Sequence, residues 1–307
     1  MSSYSSSEIK DIEVWILHCL SATPYACSSL ERLPNGTTNF VFRGHLSNLP
    51  RIKGEGINKD TQIVIVKYIA ENHAMNKNFL LDRSRASAEQ SMLQLLQKFP
   101  PITTKDAIQF QTPNLLHFDP NSNIQVLYDF PNSIALVDLL RNPSSLLDQP
   151  TASSLGNALG HWLRAFHTWS STYSPTLSQT LGPTLSTRHL KRQITTSTLL
   201  PLLSTHFPHL LAPHKHTLEQ VCKTLSDEAE HGPGEDWHFV HGDLWSGNIL
   251  LSPPPPTTLL ILDWELVHLS PPSTDLGQLI GDLYERAHFN SSAAALHVLE
   301  SFCTAIV

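Results

Sequence analysis

Residues His241-Gly242-Asp243-Leu244-Trp245-Ser246-Gly247-Asn248 constrain this chain more than any other stretch, because they set a carboxylate and an amide five residues apart in a glycine-containing loop. Two short apolar runs follow, Asn248-Ile249-Leu250-Leu251 and Leu259-Leu260-Ile261-Leu262, and both read as strands. Between them, Ser252–Thr258 carries Pro253 to Pro256, which lack the amide donor that a ladder needs and so must form the connection. The chain therefore folds back, the strands pair antiparallel, and Asn248 comes beside Asp263 of Leu262-Asp263-Trp264-Glu265. An Asp and an Asn side by side supply the hard oxygen ligands that Mg²⁺ prefers. For either half alone, the plainer reading is an ordinary hairpin with an Asp-containing loop nearby.

Three ordered motifs, Asp243 to Leu251, Ile261 to Leu266 and Asp275-Leu276-Gly277, resemble the aminoglycoside phosphotransferase and choline-kinase-like family, and within it the fungal methylthioribose-kinase-like branch. The resemblance implies an α+β, protein-kinase-like two-lobed fold. Its N-lobe would be an antiparallel sheet with one helix, and its larger, mainly helical C-lobe would carry the catalytic hairpin. It also implies an ATP-dependent phosphotransferase that moves the γ-phosphate to a hydroxyl of a small molecule. Asp243 would accept or orient the hydroxyl proton, Asn248 and Asp263 would hold Mg²⁺, and Asp275 would be a buried anchor of the catalytic loop.

The upstream half offers the matching nucleotide-binding parts. In Gln62-Ile63-Val64-Ile65-Val66-Lys67-Tyr68-Ile69 a lone Lys stands in an apolar strand, where charge is costly unless paired or in reach of solvent. Lys67 resembles the kinase lysine that contacts nucleotide phosphates and pairs with a helical Glu. The periodicity predicts a helix within 80–99, with Ala88, Met92, Leu95, Leu96 and Phe99 on its buried face, and Glu89, four residues after Arg85, is the candidate partner. The plainer alternatives are a Lys at a sheet edge and a surface pair between Arg85 and Glu89. Asn35, Gly36, Thr37 and Thr38 hold the position of the phosphate loop, with one glycine where relatives commonly have two. Tyr128, Asp129 and Phe130 resemble the entry to the interlobe hinge that binds the adenine edge. The expected division is a nucleotide-binding N-lobe over 1–130 and a catalytic, substrate-binding C-lobe over 131–307.

Further along, 155–167 reads as the central helix of the larger lobe, with His167 structural, and 170–187 as a Ser/Thr/Pro-rich loop. Four densely placed histidines, His206, His209, His214 and His216, have no accompanying Cys or carboxylate at a ligand spacing and read as part of a helix-connecting insert. A net charge of −7 argues against nucleic acid as a partner, and no run of about twenty apolar residues suggests a membrane span. Four scattered cysteines fit reduced thiols in the cytoplasm. The polar opening 1–7 is expected to be disordered.

An amphipathic helix is expected over 291–307, ending without a basic or glycine stop, so the chain looks shortened relative to the family. That carries two expectations: a partner or second copy covering the exposed surface, or a catalytically impaired pseudokinase lacking part of the acceptor site. A metal-dependent hydrolase using His241, Asp243 and Asp263 is the other reading, and it leaves the upstream motifs unexplained.

Overall fold

In the computed structural model of the chain, the described residues are 3–34, 36, 38–48, 62–102, 104, 107–141, 147–172, 174–181, 185–231, 234 and 236–307. Along the first part run α1 (Ser6–Leu20), β1 (Cys27–Arg32), β2 (Phe40–Leu46), β3 (Ile63–Tyr68), β4 (Asn72–His73), β5 (Asn76–Leu80), α2 (Ser84–Leu96), β6 (Gln109–Gln111), β7 (Leu115–Asp119) and β8 (Ile124–Tyr128). Then follow β9 (Ile134–Ala135), α3 (Leu136–Arg141), α4 (Gln149–Thr172), α5 (Ser174–Leu181), α6 (Leu185–Ile194), α7 (Thr196–His206), α8 (Pro208–Leu211) and α9 (Lys215–His231). The last elements are β10 (His238–Val240), β11 (Ile249–Leu251), β12 (Thr258–Ile261), β13 (His268–Ser270), α10 (Ser273–Phe289) and α11 (Ala293–Ile306).

The contacts divide the chain into two compact units, Met1–Gln94 with Thr112–Asn132, and Leu95–Gln111 with Ser133–Val307. Residues 95–111 fall in the second unit rather than before a single boundary at 130, because β6 pairs with β12 there, Gln109 opposite Thr258.

The first unit is an antiparallel sheet of five strands in the order β1-β2-β3-β8-β7. Alternation along the strands sends Phe40, Phe42, Val64, Val66, Ile124 and Val126 to one face, where they bury Ile16 and Leu20 of α1. Helix α1 begins inside the stretch that reads as a disordered tail. Ser5 Oγ accepts from the Glu8 amide at 3.2 Å and the Ser5 amide donates to Glu8 Oε2 at 2.7 Å. This capping box satisfies two helix-end donors, and its serine alone contributes about 1 kcal/mol. Residues 5–7 are therefore ordered, a correction to the expectation from polarity.

The second unit is mainly helical, with a small sheet in the order β6-β12-β11-β9. β11 and β12 pair antiparallel, Ile249 opposite Ile261, around the proline-rich connection. Helix α4 extends the 155–167 segment to 24 residues and buries Leu155, Leu159, Trp162, Leu163 and Phe166. Phe166 meets Trp264, from the turn after β12, edge-on at 5.2 Å between ring centroids. Helix α11 lies along α4, its Val298 and Phe302 fully buried, and Ser292 caps it by accepting from the Ala295 amide at 3.2 Å. The segment 170–187 is helical at both ends rather than a loop. Composition there favours turns, but Leu177 of α5 is fully buried, and tertiary packing overrides the local preference.

Candidate active site

In the second unit the loop of 241–248 is held from beneath by Asp275, a fully buried carboxylate in the first turn of α10. Its Oδ2 accepts from the His241 amide at 2.9 Å, its Oδ1 from the Gly242 amide at 3.0 Å, and His167 Nε2 lies 3.0 Å from Oδ2. Burial alone would push this carboxyl up, yet His167, His241 and the Gly242 amide together hold it below its ordinary value. Gly242 takes φ +82°, and a Cβ there would overlap the Leu266 carbonyl oxygen, so glycine is required.

His241 Nδ1 accepts from the Asp243 amide at 3.1 Å, so its hydrogen is on Nε2, which donates to the Leu262 carbonyl at 2.8 Å. Farther along the loop the Ser246 amide donates to Asp282 Oδ2 at 3.0 Å, and Arg286 Nη2 donates to Asp282 Oδ1 at 3.0 Å.

This frame fixes Asp243. Asn248 Nδ2 donates to the Asp243 carbonyl at 2.9 Å and to its Oδ2 at 3.1 Å. Gln278 Nε2 donates to Asp243 Oδ1 at 2.6 Å, and Lys191 Nζ lies 2.7 Å from Gln278 Oε1 and 3.8 Å from Asp243 Oδ1. Burial pulls the Lys191 ammonium below its ordinary pKa, opposed by the charges of Asp243 and Asp275. The Asp243 carboxylate keeps 30 % of its surface exposed, enough for a substrate atom to reach it.

On the opposite strand the Leu262 amide bonds the Asn248 carbonyl at 2.9 Å, and Asp263 follows with a left-handed backbone, φ 64° and ψ 60°. An Asp adopts this conformation more readily than most residues. Both of these side-chain bonds of Asn248 use its nitrogen and leave its Oδ1, a hard acceptor atom, out of them. With the Asp263 carboxylate this makes an all-oxygen donor set that fits Mg²⁺.

In the first unit Lys67 is buried on β3, and its Nζ lies 2.9 and 2.7 Å from Oε1 and Oε2 of Glu89 on α2. Arg85 is fully buried rather than paired on the surface: it donates to Asn39 Oδ1 at 2.5 Å and to the Ala70 carbonyl at 2.7 Å. That ties α2 to the end of the β1–β2 turn. Within the turn, Asn35 and Thr37 lie outside the described residues. A Cβ on Gly36 would come 2.8 Å from the Asn39 carbonyl oxygen, and the Thr38 carbonyl accepts from the Ala74 amide at 3.0 Å. Tyr128 closes β8, the buried Asp129 faces Arg43 Nε at 3.5 Å, and Phe130 is half-buried.

Asp282, Gln278, Arg286, Lys191 and Asn39 are not singled out by sequence reasoning. Asp275, Gln278, Asp282 and Arg286 recur at spacings of three and four, a polar stripe on α10 that could have been read. Lys191 carries no such signal.

An antiparallel sheet followed by a mainly helical unit is the kinase-like arrangement, and the fold matches the crystal structure of an aminoglycoside-3'-phosphotransferase of type VIII with a TM-score of 0.54, at 14% identity, covering 96% of this chain and 91% of that one. The pattern of the phosphotransferase enzyme family, APH, matches residues 79–299, and the chain belongs to that family. Among curated proteins it is similar to the phosphotransferase FrzJ of Cladobotryum sp, 29% identical over 315 residues that cover 96% of this chain and 79% of the relative. It is also similar to the 4-hydroxytryptamine kinase of Psilocybe cyanescens, 22% identical over 284 residues, 90% of this chain and 73% of the relative. Among the described residues no helix is long and apolar enough to cross a membrane.

Proposed function

We propose that this phosphotransferase-family protein moves the γ-phosphoryl group of ATP to a hydroxyl of a small molecule. One observation carries the reading: the partly exposed Asp243 carboxylate is gripped by the Asn248 side-chain nitrogen, and the Asn248 carbonyl bonds the Leu262 amide, which brings Asp263 alongside. The name of the hydroxytryptamine kinase relative supports a hydroxyl acceptor.

In the first unit, Lys67 oriented by Glu89 pairs with the nucleotide phosphates, the segment 35–38 is assigned to them by its place between β1 and β2, and the backbone of Tyr128, Asp129 and Phe130 takes the base edge. In the second unit, Asn248 and Asp263 are the Mg²⁺ ligands, and bound Mg²⁺ supplies neutralisation of phosphate charge. Asp243 accepts a hydrogen bond from the acceptor hydroxyl and aims its oxygen. As the new O–P bond forms and the bond to the ADP oxygen breaks, the hydroxyl proton passes to Asp243 and then to solvent. Such positioning, more than covalent chemistry, is what phosphoryl transfer asks of a protein. Four free thiols and a nucleotide-triphosphate substrate suit the cytoplasm, where we assign the protein.

Calorimetry of Mg²⁺-dependent ATP binding, with GTP for comparison and Asp263→Ala as control, is the first test. Binding that disappears in the control supports the reading, and absence of binding by folded wild type overturns it. Asp243→Asn should then keep ATP binding and lose acceptor-dependent turnover by about 10²-fold or more. Nucleotide binding without turnover on any hydroxyl acceptor would instead favour the pseudokinase.

A further inference from the structure

Lys191 is an unusual neighbour for Asp243. It comes from α6, distant in sequence from the loop, and its ammonium is nearly enclosed, with 14% of the side chain exposed. Its nearest partner is not the carboxylate at 3.8 Å but Gln278 Oε1 at 2.7 Å.

A glutamine amide has an accepting end and a donating end of almost the same shape. Lysine has donors only, so beside Lys191 the amide must present its oxygen, and its NH₂ is then turned to Asp243, where it donates to Oδ1 at 2.6 Å. The carboxylate, an acceptor only, asks for the same direction, and the ammonium fixes the far end of the amide, so that without it Gln278 is held at one end and can swing about its bond to Asp243. Asp243 Oδ2 is already held by Asn248, so the plane of the carboxylate is defined by one grip on each oxygen. Helix α6 is itself fastened one turn earlier, where Thr187 Oγ1 donates to the Val267 carbonyl at 3.2 Å.

We propose that Lys191 and Gln278 are positioning residues for phosphoryl transfer, Lys191 fixing the Gln278 amide so that it holds Asp243 at the angle from which it orients the acceptor hydroxyl. The proposal rests on the reading of Asp243 as the hydroxyl-orienting group. Because the Gln278 and Lys191 contacts go to the carboxylate and, among the described residues, directly to none of those assigned to the nucleotide, the grip acts on turnover far more than on nucleotide affinity. A small displacement of an aligned group is enough to slow such a reaction by one or two orders of magnitude.

The test uses the full chain with Mg²⁺ and ATP, with any acceptor found in a panel of small alcohols, or with water as the acceptor where none is found. Lys191→Met should lower kcat about tenfold or more with the KM for ATP within about twofold, and Lys191→Arg, which keeps a donor-only cation, should recover most of the loss. Gln278→Leu should lose as much, and the double variant little more than either alone, as expected of two residues acting in one chain. Turnover of Lys191→Met close to wild type, or losses that multiply in the double variant, overturn the proposal. The side-chain amide signals of Gln278, read by NMR in ¹⁵N-glutamine-labelled protein, give an independent arm. They should move in Lys191→Met, and unchanged signals overturn the inference even if wild type has no turnover. That last condition by itself would count against the proposed function instead.

Discussion

Lys67 Nζ lies within 2.9 Å of both carboxylate oxygens of Glu89, and both side chains are buried. Two charges withdrawn from water offset much of their desolvation through each other, so removing one partner is costlier than the net value of the pair. Lys67→Met should destabilise the folded protein by about 3 kcal/mol in urea unfolding, because the buried Glu89 carboxylate then loses the cation that bonds both its oxygens. Lys67→Met combined with Glu89→Gln should cost clearly less than the sum of the single changes. Strict additivity would mean that the two charges are not coupled in solution.

His268 predicts a pH dependence of stability. The ring is fully buried, Nδ1 donates to the Leu266 carbonyl at 2.7 Å, and burial pulls its pKa down to about 4. In the unfolded chain the same ring titrates near the ordinary value of about 6.5, so between these values the unfolded state binds a proton that the folded state refuses. The stabilisation is complete above about pH 6.5 and is lost as pH falls towards about 4, by an amount on the order of 3 kcal/mol. Asp275, also depressed, acts with the same sign but in a lower window, below the ordinary carboxylate value of about 3.9. Burial pushes His238 down as well, so the informative quantity is a difference. Urea midpoints should fall from pH 7 to pH 4.5 in wild type and fall much less in His268→Asn, whose amide can replace the Nδ1 donor. Equal slopes in the two proteins would place the titration elsewhere.

What the sequence discloses depends on how local the physical cause is. Four consecutive prolines dictate a reversal, so the β11–β12 hairpin and the closeness of Asn248 and Asp263 are legible without a structure. A lone lysine in an apolar strand must find a counter-charge, which points to a helical carboxylate such as Glu89. The capping box of Ser5 and Glu8 was equally local, and reading the serine run as mere polarity hides it. Helix α5 could not be read that way, since what orders its weak helix formers is the burial of Leu177 by the rest of the unit. The Lys191–Gln278–Asp243 chain is the extreme case. Its members come from three separate segments, and none has a spacing relation to another.

The packing of α11 on α4 makes opposite predictions for glycines that a propensity scale treats alike. Replacing an exposed helical Gly by Ala stabilises by up to about 1 kcal/mol, because Ala loses less backbone freedom on folding. Gly277 and Gly281 of α10 have open space where a Cβ would go, so Gly277→Ala and Gly281→Ala should raise the unfolding midpoint. At Gly156 of α4 the added carbon would overlap the Val298 carbonyl oxygen and sit 3.0 Å from the Phe302 amide nitrogen, both backbone atoms of α11. At Gly160 it would sit 2.7 Å from Ala305 Cβ and 2.9 Å from the Phe302 carbonyl oxygen. Backbone cannot turn aside as a flexible side chain can, so α11 would have to move and loosen the burial of Val298 and Phe302. Disturbing a packed interface in this way costs about 1–3 kcal/mol, more than the propensity gain, and Gly156→Ala should lower the midpoint measured by circular dichroism. If Gly156→Ala were instead as stabilising as Gly281→Ala, the two helices would not approach this closely, and α11 could not be a fixed wall of the second unit.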